Sequence, residues 1–219
     1  MNNSHNVFAL ALAICLSTLL GTQSLLAVAG GVVEIRVTDK DSGQPVAVRM
    51  HLKNQQGRPI KPSGHPSWND HFVFDGKVEL KLAPGNYTFE MERGPEYRIR
   101  TGYFIIKPNA ADNKQVEMQR FVSMKKEGWW SGDLHIHRPE KDIPLLMQAD
   151  DLHIAPVITW WNQNNLWTGK KLPSPALKTA GTDRYYHLLA GEDERRGGAL
   201  LFFNLSQPLK IDSAKPEYP

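Results

Sequence analysis

Apolar and polar residues alternate through the first half of the chain. Val33, Ile35 and Val37 stand two apart, as do Val46, Val48, Met50 and Leu52, then Val78, Leu80 and Leu82, then Tyr87, Phe89 and Met91. A two-residue period places every second side chain on one buried face of a β-strand. Turn formers separate these runs at residues 41–45, 54–57 and 83–86. Residues 103–106 and 116–118 are weaker strands of the same kind. Several short strands without a helical period predict a β-sandwich over residues 30–124. Residues 62–70 read as an irregular loop, with Trp68 available to pack against the second half. The spacing of His51, His65 and His71 suggests no ligand set, so surface positions are expected for all three.

The pattern changes after a connector at residues 121–128. Leu145, Leu146, Ala149 and Leu152 have helical spacing, behind Asp142 as a candidate cap and Pro144 in the first turn. A helix is therefore predicted over residues 143–152. Residues 153–159, 186–189 and 199–203 are apolar runs of strand length. Strand, helix and strand in succession predict a βαβ unit and an α/β domain over residues 127–219.

The stretch around which this second half is organised is Trp129-Trp130-Ser131-Gly132-Asp133-Leu134-His135-Ile136-His137. Taken as a strand, it places Asp133, His135 and His137 on one face and Leu134 and Ile136 on the other. Two imidazoles and a carboxylate on one face begin a site for a divalent metal such as Zn²⁺, Mn²⁺ or Fe²⁺. Glu192 follows an apolar strand, and barrel enzymes place their chemistry at the ends of such strands.

Composition narrows the partners. Of 219 residues 22% are charged and 41% hydrophobic, which is enough apolar matter for one large or two small domains. The net charge of +3 comes without a dense Lys/Arg block, so nucleic acid is not an expected partner. Residues 1–29 lack Asp, Glu, Lys and Arg and end in Ala27-Val28-Ala29, the pattern of a cleaved signal peptide. The apolar run is short for a membrane span. A secreted or periplasmic protein is expected, with no stable membrane span after cleavage. Its only cysteine, Cys15, would be lost with the signal.

Two resemblances attach to these residues. The opening Val-Thr-Asp-Lys-Asp-Ser-Gly-Gln-Pro-Val (37–46) and Leu-Ala-Pro-Gly-Asn-Tyr (82–87) resemble the carboxypeptidase regulatory-like, transthyretin-like sandwich. That resemblance implies a spacer or folding partner. Gly132 to His137 matches the Gly-Asp-x-His-x-His opening of the polymerase-and-histidinol-phosphatase (PHP) domain, more narrowly the CehA/McbA type of metallohydrolase. The second resemblance implies a distorted α/β barrel, two or three divalent metals, and hydrolysis of phosphoesters, esters or carbamates. It also implies His135 and His137 as ligands, Asp133 as their neighbour and Glu192 as the bridging glutamate.

The chain departs from that family in three ways. Thr159-Trp160-Trp161-Asn162 stands where the family has Thr-Asp-His-Asn, and indoles do not bind metal. Gly197-Gly198 stands where it has Gly-His. The residues after Gly132 are about half of what a complete barrel needs, so the domain is expected to be the front part of a longer one. Asp150, Asp151, His153 and His187 are the residues at hand to replace the absent ligands. The expected function is an exported metal-dependent hydrolase, incomplete or degenerate in this chain, with a small-molecule or carbohydrate substrate. The alternative is a non-catalytic binding or scaffold protein. In that case Trp129, Trp130, Trp160, Trp161 and Trp167 would supply stacking surfaces for sugars.

Overall fold

The computed structural model describes residues 29–210. The signal segment therefore lies almost wholly outside the described residues. Among them, no helix is long and apolar enough to cross a membrane. The described chain is mostly strands: β1 (Gly31–Asp39), β2 (Ala47–Asn54), β3 (Ser67–Trp68), β4 (His71–Asp75), β5 (Lys77–Leu82), β6 (Gly85–Glu92), β7 (Arg100–Ile106), β8 (Ala111–Met118), helix α1 (Ile143–Ala149), β9 (Ile154–Trp161), β10 (Asn164–Asn165), β11 (Leu177–Thr179), β12 (Tyr185–Arg195) and β13 (Gly198–Phe202).

The first half is a sandwich. One sheet has the order β5-β1-β8, with β1 and β8 parallel, and the other has the order β3-β4-β2-β6-β7. Val33, Ile35, Val37, Val48, Met50, Leu52, Leu80 and Met91 are all buried between them, which is the face their two-residue spacing marks out. The strand missed in the sequence is β4, the run His-Phe-Val-Phe-Asp, and short β3 pairs with it inside the expected loop. Phe72, Val73 and Phe74 are buried in succession. Two of them face the sandwich core and Val73 faces the second unit, so β4 carries no polar alternation to reveal it.

The two halves meet on the outer face of the larger sheet. Leu145, Leu146 and Ala149 of α1 pack on Ala47 and Val73. Arg93 is buried and donates from Nη1 to Ala47 O and to Gln148 O, both at 2.6 Å. Arg49 Nη2 holds both oxygens of Asp150 at 2.7 Å. Asp151, 3% exposed, receives Arg120 at 2.5 Å and Arg184 at 2.7 Å, with Arg93 at 3.8 Å. Gly94 has φ 61°, and a Cβ there would lie 2.3 Å from Asp150 O, so the close approach of the halves admits only glycine. Trp68, left open by its sequence context, does meet the second half: the Arg138 guanidinium lies 4.4 Å above its ring.

Among its described residues the second half forms a β-rich sheet and no clear α/β barrel. Its sheet has the order β10-β9-β12-β11, with β13 on the other part of β12, and α1 is the one α-helix among the described residues. The predicted βαβ step is parallel, since Gly132 and Ile136 bridge β9 in parallel, and β9 and β12 are parallel too, but the other pairings are antiparallel. Between β9 and β12 the chain runs through Gly169, Pro173, Pro175 and Gly181, which break any second crossover helix. The predicted first strand is also reduced. Only Gly132 and Ile136 bridge to β9, opposite Ile154 and Val157. The cause is local: Asp133 Oδ1 accepts from His135 N at 2.9 Å, so this N–H turns inward on its own loop instead of joining a ladder.

Candidate metal centre

Ile136 fixes the first two donors. It is buried at 8% exposure against Ile143, Val157 and Leu188, and it bridges to β9. Burying that side chain leaves its neighbours His135 and His137 on the opposite side, as the two-residue period requires. Their rings lie 5.1 Å apart.

Glu192 comes from β12, between β9 and β13, where it is paired with Trp161 on one side and Leu201 on the other. The sequence suggests a position just past a strand; instead β12 runs on to Arg195 and holds Glu192 within it. Its Oε2 stands 2.9 Å from His135 Nε2 and 2.9 Å from His137 Nε2. The carboxylate is 2% exposed, whereas the two imidazoles are half and one-third open to solvent. Burial alone would raise the Glu192 carboxyl; the contacts from both imidazoles outweigh it and hold the group below its ordinary value. Glu192 Oε1 is buried without a hydrogen-bond partner. A buried anion with one oxygen unsatisfied is costly unless a cation meets it.

The other sequence candidates go elsewhere. Asp133 is spent on its own loop and belongs to no donor cluster among the described residues. Asp150 and Asp151 hold the interface arginines. His153 Nδ1 is 2.9 Å from Ser131 Oγ, and His187 Nδ1 accepts from Leu189 N at 3.2 Å. None of the four completes the centre. Trp161 stands edge-on to His137, with centroids 5.2 Å apart, so this indole walls the site. Trp160, 3% exposed, stacks on Phe202 and is core. Trp167 donates from Nε1 to Thr159 Oγ1 at 2.8 Å, whereas Trp129 and Trp130 are exposed.

The expectation that His51 and His71 are unrelated surface residues is corrected: their rings lie 5.1 Å apart, and Asp70 reaches both. The signal for this pair lies in the register of β2 and β4, which is invisible until β4 is recognised.

No family model and no curated protein matches the chain. Among solved structures it is similar to the minor pilin GBS52 of Streptococcus agalactiae, at 19% identity and TM-score 0.36, over 44% of this chain and 47% of that one. It is also similar to the Bacillus anthracis TIE protein, at 22% identity and TM-score 0.32, over 52% and 20%. The major pilin subunit BcpA of Bacillus cereus matches at 13% identity and TM-score 0.32, over 42% and 30%. The chain thus covers less than half of each of these structures. At such TM-scores the likenesses carry no argument about function, and the β-sandwich rests on its own two sheets.

Proposed function

We propose that this chain is an exported cation-binding scaffold, a β-sandwich docked on a β-rich unit that offers His135, His137 and Glu192 to one divalent ion. The observation that carries the proposal is Glu192: a buried carboxylate that meets two imidazole nitrogens through Oε2 and has no partner at Oε1. Two nitrogen donors and one oxygen donor suit zinc, manganese or iron. Both imidazoles are open enough for an ion to enter from solvent.

The finer reading is a PHP-type metal-dependent hydrolase. It is favoured by the donor set, since two histidines and one glutamate with an open fourth position are the ligands of a catalytic metal. When bound, such a metal lowers the pKa of its water and polarises a substrate oxygen. The residues of this chain would fix the ion, with Trp161 closing one side. Trp160 and Trp161 occupy the places of two further family ligands, which is why binding without turnover is preferred. Phosphodiester and carboxyl-ester assays of the metal-loaded chain separate the two readings. Binding without hydrolysis is the expected result. Turnover that His135→Ala removes would establish the hydrolase.

A further inference from the structure

A second set of donors lies on the sandwich, on the outer face of its larger sheet. β2 and β4 are antiparallel with Met50 opposite Phe72, and the next step in that register sets His51 opposite His71. Met50 and Phe72 are fully buried in the core, so the two imidazoles stand on the other face. On the far side of β2, Glu90 is the register partner of His51. The tight turn between β3 and β4, with Asn69 at φ 44°, brings Asp70 over both rings.

We propose that His51, His71 and Asp70 bind a transition-metal ion of the zinc class, with Glu92 orienting His51 from behind. Asp70 Oδ2 lies 3.3 Å from His51 Nδ1, and Asp70 Oδ1 lies 3.4 Å from His71 Nδ1. One ligand atom from each of the three residues lies within 4.8 Å of the other two, so a small contraction brings them to the roughly 3.3–3.4 Å that separates two ligands of a tetrahedral zinc. The far nitrogen of His51, Nε2, is buried without a hydrogen-bond partner and is 3.9 Å from Glu92 Oε1. Metal on Nδ1 fixes the proton on Nε2, and a carboxylate behind a ligating histidine is the common way to hold it. A small closing movement makes that hydrogen bond. Glu92 also pairs with Arg49, whose Nη1 lies 3.6 Å from Oε2, and this leaves Oε1 as the oxygen facing His51. A groove lined by His51, Lys53, Asp70, Glu90 and Thr101 gives the ion an entry path. Two imidazoles select zinc, copper or nickel over calcium and magnesium.

The site is tested in the full chain carrying His135→Ala and His137→Ala, so that it stands or falls apart from the first centre. Calorimetric titration with zinc should give one equivalent. That equivalent should disappear with His51→Gln and His71→Gln together, and Glu92→Gln should weaken it about tenfold or more. Ring ¹⁵N shifts of His51 and His71 on zinc addition give a second reading that needs no change in the sandwich; both Nδ1 signals should move. Absence of zinc uptake in this background, uptake unchanged by the two glutamines, or unmoved ring signals would overturn the proposal.

Discussion

A Cβ placed on Gly191 would lie 1.8 Å from Cε2 of Trp160. The two are register partners on the parallel strands β9 and β12, and the indole occupies the space a side chain would need. The glycine before Glu192 is therefore a packing requirement of Trp160. Gly191→Ala should destabilise the chain by about 1–3 kcal/mol or more through overpacking. Thermal unfolding should show the drop in midpoint, and zinc affinity should fall with it because Glu192 is the next residue.

The two adjacent indoles Trp160 and Trp161 should respond in opposite ways to replacement by metal-binding side chains. Trp160→Asp places a carboxylate in a core position that is 3% exposed, and the chain should lose cooperative unfolding. Trp161→His places an imidazole beside His137 at a half-buried position, and zinc binding should tighten by about tenfold. Circular dichroism and calorimetry of the two variants check this contrast.

Asp151 ties the halves together through Arg93, Arg120 and Arg184. Asp151→Ala leaves these guanidiniums without their shared anion and should cost about 3–5 kcal/mol, as breaking a buried ion network does. Urea unfolding measures it. The sandwich has its own core, so residues 30–126 alone should still unfold cooperatively, but at a lower midpoint because Ala47 and Val73 lose the cover of α1.

Stability of the metal-free chain should fall as pH falls through the histidine range. Burial, followed by the nearby Arg184 charge, lowers His153, and burial lowers His187. Below about pH 6.5 the unfolded chain takes up protons that the folded histidines accept only at lower pH. The stability is therefore complete above the unfolded value and lost as pH falls toward the folded values. His153→Gln should make the slope of unfolding midpoint against pH shallower between about pH 7 and 5, the range in which an ordinary histidine titrates. Thermal melts of the chain and the variant across that range check it.

The sandwich strands were legible because alternation at Val33 to Val37 or Val78 to Leu82 reports one buried face directly. β4 was not, because Phe72, Val73 and Phe74 are buried on both faces once α1 docks. His135 and His137 were legible from their spacing about Ile136, and Glu192 from its place after an apolar strand. Spacing could not supply the role of Asp133, which a hydrogen bond to its own loop decides. Nor could it reveal the His51–His71 pair, since cross-strand register is set by tertiary pairing and not by sequence distance. No clear barrel forms among the described residues for a related reason: one βαβ step does not determine the next connection, and here that connection carries Gly and Pro in place of a helix.

The centre formed by Glu192 with His135 and His137 is tested most directly by a difference titration. The chain and its His135→Ala, His137→Ala variant, both stripped with a chelator, are titrated with zinc side by side. The chain should take up one equivalent more than the variant, and Glu192→Gln should lower the affinity of that equivalent by about an order of magnitude or more. Equal uptake by the chain and the variant would contradict a metal centre at these residues.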